Sequence, residues 1–288
     1  MGTTKRLKQN FMFALLALLA ALFAIVAATF AWYIYHTGSH TTKVHMAAGT
    51  GVSLEISNQY SEGYGSAAVL DAFDERLNPV STNKISNGFQ KVIGFTNGDE
   101  TQPNIVANLF GPSETSDYYK TSLYIRTNRK TLDVYLADIG YKDDKDDMPI
   151  STAIRVGIVP HAAGKDQPET GEFIFAINNE DNPEAEYNTA TGREGYVLDS
   201  TKTDGTTIPF QPYDSRNFCV YNSDDGTVTL KEASVPLCTV SGNGEEYGEV
   251  VKLDIYIWLE GCDKDCTQNL CNRTLEKLAL SFAGYERK

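Results

Sequence analysis

Side chains in EVVKLDIYIWLEG (249–261) alternate in character. Val251, Leu253, Ile255, Ile257 and Leu259 fall on one face, and Lys252, Asp254, Tyr256, Trp258 and Glu260 on the other. A period of two matches the pleat of a strand, whose successive side chains point to opposite sides, and does not match a helix. The same alternation runs through GVSLEIS (51–57), TSLYIRT (121–127), TLDVYLAD (131–138), STAIRVGIV (151–159), GEFIFAI (171–177) and EKLALSFAG (276–284). Turn-forming residues separate these runs, so the chain is expected to be mainly β, an antiparallel β-sandwich or barrel.

Two stretches break the pattern. Residues from about 58 to 117 and from about 178 to 217 are rich in Gly, Ser, Thr, Asn, Asp and Pro, and they read as long loop insertions. Within the first, SAAVLDAFDERL (66–77) could form a short helix. No internal repeat or compositional linker divides the remainder. The expected organisation is therefore an N-terminal segment, 1–35, followed by one β domain, 36–288.

The N-terminal segment sets the compartment. Lys5, Arg6 and Lys8 precede FMFALLALLAALFAIVAATFAWYIY (11–35), a run of roughly 25 residues, long enough to cross a bilayer as a helix with its basic flank inside. Two readings stay open. Trp32, Tyr33 and Tyr35 suit the interfacial end of an uncleaved signal anchor. Small residues at Ala28 and Ala31 suit cleavage of a signal peptide. Either reading exports the body of the chain. A pilin-like leader would need a glycine before the apolar run and a glutamate early within it, and both are missing.

Export gives the cysteines a meaning. Cys219, Cys238, Cys262, Cys266 and Cys271 all lie in the last quarter of the chain, where an oxidising compartment would favour disulfides. Local bonds among the last three, with Cys219–Cys238 as a second pair, are the candidate arrangement. Five sulfurs leave one over. The formal charge of −13 argues against a nucleic-acid partner, whose phosphates require a basic face.

Signals for chemistry are sparse. His36, His40 and His45 lie close together in HTGSHTTKVH, but the intervening Gly and Thr residues suit a solvated stalk better than a metal site. His161 beside Pro160 reads as a loop residue. The acidic runs YKDDKDDMP and NSDDGTVTLKE lack the ligand order of an EF-hand and read as hairpin tips. There is no HExxH, GxSxG, phosphate-binding glycine loop or CxxC, so neither catalytic residues nor a cofactor or metal is assigned.

TFAWYIY directly after the apolar run and VHMAAGTGVSLEIS at the first exported strand, followed by LYIRTN, AIRVGIV, FIFA and VKLDIYIWLEGCDKDC, resemble the TasA/camelysin family of exported Firmicutes proteins. The resemblance covers most strands and neither insertion. It implies a jelly-roll-like sandwich preceded by one hydrophobic helix. For its TasA branch it also implies a structural subunit that self-associates into a surface filament or biofilm-matrix fibre, and with the catalytic motifs missing the chain is expected to be non-enzymatic. Assembly would proceed by β-augmentation, with Trp32, Tyr33, Ile34, Tyr35 and on to Val44 as donor strand. A membrane-anchored cell-surface binding module is the alternative. The camelysin branch suggests a metal-dependent peptidase as a third reading, for which this sequence offers no zinc motif.

Overall fold

The structure, a computed structural model, describes residues 43–46, 54–69, 77–93, 110–143, 150–165, 171–177, 196–201, 207–209, 219–222, 224, 227–230, 234–263, 266 and 275–286. By its contacts the chain divides into Met1–Ser39 and His40–Lys288. The first unit lies outside the described residues, and with it the expected helix, Ala28, Ala31, Trp32, Tyr33, Ile34, Tyr35 and His36. Cys271, His40 and residues 144–149 of the first acidic run lie outside them too, whereas the second acidic run bridges the two paired strands Val220–Asn222 and Thr227–Thr229. Among the described residues no helix is long and apolar enough to cross a membrane.

The second unit is mainly β. Its larger sheet is organised around β16 (Val251–Glu260), which pairs antiparallel with β9 (Ile154–Pro160) on one side and with β7 (Tyr119–Thr127) on the other. β10 (Phe173–Ala176) continues the sheet beyond β9, and β2 (Leu54–Ser57) continues it beyond β7. Where β7 begins, β4 (Pro79–Ser81) takes over the same edge of β16. It pairs parallel through Leu259 and Glu260, and passes the sheet on to β5 (Gln90–Val92) and β6 (Phe110–Pro112).

The smaller sheet has the order β15 (Cys238–Val240), β8 (Leu132–Asp143), β17 (Leu275–Glu286), β1 (Lys43–Met46) and β3 (Ala67–Val69). Two separate hairpins complete the described strands: β11 (Tyr196–Leu198) with β12 (Thr207–Pro209), and β13 (Val220–Asn222) with β14 (Thr227–Thr229). Pairing is not antiparallel throughout. β1 runs parallel to β17, and β4 parallel to β16, so both main sheets are mixed.

Alternation locates the main core. Leu253, Ile255, Ile257 and Leu259 of β16 share one buried cluster with Leu123 and Ile125 of β7 and with Val156 and Ile158 of β9. Val134 and Leu136 of β8 and Leu278, Leu280 and Phe282 of β17 join it from the smaller sheet. Each sheet thus gives one face to a common interior, as two half-apolar sheets must. A register shift between Ser281 and Phe282 leaves Ala137 of β8 unmatched. Such a bulge keeps the inward residues in phase on both sides of the irregularity.

The opposite face of β16 is not a solvent face. Trp258 is fully buried and Asp254 and Glu260 nearly so, and the first supposed loop insertion folds back over Trp258. It contains β3, β4, β5 and β6 and short 3-10 turns at Ile85–Asn87 and Thr115–Asp117. Val80, Ile85 and Phe89 from this strap close a second apolar cluster with Val159, Ile174 and Trp258. Phe89 meets Trp258 edge-on at 5.2 Å and stacks on Tyr118 at 4.3 Å, both favourable aromatic geometries. Both Glu172 carboxylate oxygens accept hydrogen bonds from the 3-10 turn, at 2.9 Å from Ile85 N–H and 3.1 Å from Ser86 N–H.

Within 66–77 the expected helix gives way to strand at Ala67–Val69, and 70–76 lies outside the described residues. The second insertion likewise holds β11 and β12. These strands are three residues each, too short to announce a period.

Gly157 makes the strap possible. It stands opposite Tyr256 in the β9–β16 register. A Cβ there would run into Ile85 Cδ1 and sit 3.0 Å from Trp258 Cζ3. Truncating Trp258 to Ala is expected to cost about 3–5 kcal/mol, the usual range for a buried aromatic. Gly157→Val should destabilise as well, by overpacking the same spot. Urea titration of each variant followed by far-UV circular dichroism reads both. A Trp258→Ala midpoint equal to wild type would show that the strap contributes no packing.

Candidate functional site

Two arrangements stand out, one on each main sheet. The first is the slot beside β17. On one side β17 pairs with β8 over nearly its whole length. On the other it meets β1 through Lys43–Ala279, Val44–Leu280, His45–Ser281 and Met46–Phe282. β1 in turn carries β3 through Lys43–Val69 to His45–Ala67. Among the described residues no other strand covers that edge of β17. A four-residue strand from the N-terminal end of the unit therefore fills the middle of an edge whose two ends have no partner strand among the described residues.

Val44, the last residue of the expected donor segment, lies in this strand. His45, assigned to a solvated stalk from sequence, is strand as well. Parallel pairing of the first and last strands needs the whole intervening chain as its crossover, so no local sequence signal could announce it.

The second arrangement is a polar layer on the outer face of β16. Asp254 is its hub: Ser122 Oγ donates to Oδ1 at 2.7 Å, and His161 Nε2 lies 3.1 Å from Oδ2. Lys252 Nζ stands 3.4 Å from Oδ1 and Lys120 Nζ 3.7 Å from Oδ2. Burial pushes the Asp254 carboxyl up, but the Ser122 hydrogen bond and the Lys252, Lys120 and His161 charges together hold it below its ordinary value.

His161 is not a loop residue. It is 3% exposed, its N–H donates to Lys252 C=O at 2.9 Å, and its Nδ1 is buried without a hydrogen-bond partner. Serine, aspartate and histidine are thus brought together, but the hydroxyl and the imidazole each bind the carboxylate rather than each other. A nucleophile–base pair requires that missing contact.

Further along the same face, Arg155 Nη2 donates to Asp263 Oδ2 at 2.5 Å, with both side chains buried. Glu260 accepts from Trp258 Nε1 and from Cys262 N–H, each at 3.0 Å. Its complete burial raises its carboxyl above the ordinary value despite these donors. Nearer β2, Arg126 lies between the rings of Tyr64 and Tyr247, 3.8 and 4.2 Å from their centroids, and pairs with Glu55 at 2.7 Å.

At the strap's root Asp117 closes a capping box with Glu114. One of its oxygens accepts from both Asn78 Nδ2 and Lys91 Nζ, at 2.7 Å each. Sequence reasoning passed over all of these groups. Most of their partners lie many residues away, and Asn78, Lys91 and Asp117 fell in a segment read as a loop insertion.

The described cysteines are all buried: Cys219, Cys238, Cys262 and Cys266. Cys219 packs with Tyr135 and Ala283 on one face of the smaller sheet, and Cys238 with the main core on the other. Cys262 contacts Val92, while Cys266 belongs to the main core. No disulfide is recorded among the described residues. Cys219 and Cys238 thus belong to different clusters on the two faces of the smaller sheet. Among the described residues no group of three or more His, Cys, Asp or Glu side chains is placed to hold a metal ion.

No family model, curated protein or solved structure matches the chain.

The polar layer has a pH signature of definite sign. Asp254 and Asp117 are held below 3.8 in the fold, so their stabilisation is present above that value and lost as pH falls through their folded values. Glu260 acts oppositely: between its raised folded value and 4.5, falling pH relieves the cost of burying its charge. Thermal unfolding across this range should show Asp254→Asn with a shallower acid limb than wild type. Parallel acid limbs would show that Asp254 contributes nothing to the linkage.

Proposed function

We propose that this chain is an exported structural subunit of an extracellular surface filament or matrix fibre, assembling by strand donation into the slot beside β17. The single observation carrying the proposal is the parallel β1–β17 pair. A short strand at the N-terminal end of the folded unit occupies an edge that would otherwise be open along its length.

The physics is that of β-augmentation, in which ladder hydrogen bonds supply affinity and alternate side chains supply register. Exchanging a chain's own strand for a neighbour's identical one replaces like contacts with like. Concentration and linker geometry then decide between monomer and polymer. Donation from one copy to the next is heterologous, the pattern that propagates an open filament. The jelly-roll-like sandwich suits such a subunit, since its two sheets meet at edges that are easily extended. Segment 11–35 delivers the body to the outside, and a cut near Ala28 or Ala31 releases the donor. Without the cut the subunit stays in the membrane, with its N-terminus inside.

The double variant His45→Cys/Ser281→Cys, oxidised at rising protein concentration, tests the reading, because these residues face each other in the β1–β17 register. The expected result is a ladder of interchain disulfide-linked species, with filaments visible by electron microscopy. Cross-links confined to single chains, with monomeric particles at every concentration, would overturn the proposal.

A further inference from the structure

The root of the strap brings together three side chains whose chemistry exceeds that of an ion pair. Asn78 immediately precedes β4, Lys91 is central in β5, and Asp117 ends the 3-10 turn before β7. Asp117 is buried, with its side chain 3% exposed, whereas Lys91 is 35% exposed. The decisive feature is that one oxygen, Asp117 Oδ1, accepts from two nitrogens of different character, an amine and a carboxamide, at 2.7 Å each. The other oxygen is held by Glu114 N–H at 2.8 Å. The carboxylate is therefore fixed in orientation, with its reactive oxygen between a nucleophile and a potential leaving group.

The geometry points to a self-processing site in which the Lys91 amine displaces ammonia from the Asn78 carboxamide, joining the two side chains by an amide bond with Asp117 as the proton relay.

Asp117 Oδ1 first takes a proton from the Lys91 ammonium, leaving a neutral amine. The amine lone pair attacks Asn78 Cγ, so that the Nζ–Cγ bond forms and a tetrahedral centre appears. As that centre collapses, the Cγ–Nδ2 bond breaks. The two protons lost from Nζ end on the departing nitrogen, passed through Oδ1, and Asp117 returns to carboxylate. Lysine ammonium plus carboxamide give secondary amide plus ammonium ion, with no oxidant, reductant or cofactor. The relay uses the same oxygen as base and then as acid, as general acid–base catalysis requires of a group within reach of both atoms.

At rest the hydrogen bonds to Asp117 favour its ionised form. That does not block a reaction needed once per molecule. Fixed proximity raises the effective concentration of the amine, and escape of ammonia makes each event permanent. The product would close residues 79–90 into a covalent loop around Val80, Ile85 and Phe89, the side chains that cover Trp258. Among the described residues the β4–β5 ladder has only the Val80–Lys91 and Ser81–Gln90 pairs, so the covalent tie would brace the strap where its own ladder is short. This inference is independent of the filament proposal.

High-resolution mass spectrometry of the full chain, with peptide mapping to account for any N-terminal processing, reads the reaction directly. The wild type is expected to be lighter than its processed sequence by one ammonia, and a branched peptide should join Asn78 to Lys91. Lys91→Arg keeps the ion pair but removes the nucleophile, and together with Asn78→Ala and Asp117→Asn it should retain the full mass. Asn78→Asp, losing water instead of ammonia, should arrive at the wild-type cross-linked mass. Mass reports chemistry rather than fold stability, so a purely structural cluster gives a different answer. A wild-type chain at full mass, with Asn78 and Lys91 in separate peptides, would overturn the inference.

Discussion

Burial of β16 on both faces is the constraint from which the rest of the structure follows. One face supplies the middle of the main core. The other carries Asp254, Tyr256, Trp258 and Glu260, which a free-standing sheet would show to solvent. Covering that face takes a strap of short strands and turns, and admitting the strap takes a glycine at 157. Covering charged groups also obliges each to be paired, since an unmatched buried charge costs several kcal/mol. Lys120, Lys252, Ser122 and His161 around Asp254, and Arg155 against Asp263, meet that demand. The outward face of β16 is thus shared: Asp254 is held by Ser122 of β7 and by His161, while the strap covers Trp258.

The fold was legible wherever strands are long enough to repeat. The segments 121–127, 131–138 and 251–260 declare their period several times over, and all three form strands where the sequence put them. The strands at Pro79–Ser81, Gln90–Val92 and Phe110–Pro112 were not legible, because three residues cannot separate a period of two from chance. The outward side of β16 misled for a different reason. Alternation identifies two faces but does not say whether other chain covers the second, and Trp258 was the only hint that it does. His161, placed in a loop by its neighbour Pro160, continues the β9–β16 ladder instead.

The candidate sites were less legible than the fold, for a topological reason. Asp254 meets Ser122 and His161 across neighbouring strands, Asp117 meets Asn78 and Lys91 across a strap, and β1 meets β17 across nearly the entire chain. Contacts of that separation leave no trace in local spacing. Individual residue types were visible, but their meetings were not.

The placement of the two most connected strands has a bearing on how the chain comes to be folded. β16 is interior to the larger sheet and β17 to the smaller, yet both belong to the last stretch of sequence. During synthesis from the N-terminus, β7 and β9 appear before the β16 that joins them, and β8 and β1 before the β17 that joins them, so neither sheet is complete until Val251–Glu286 arrives. Ladders that wait on distant partners form slowly. Closure of both sheets is therefore a late event in the life of the nascent chain, timed by the arrival of its last two long strands.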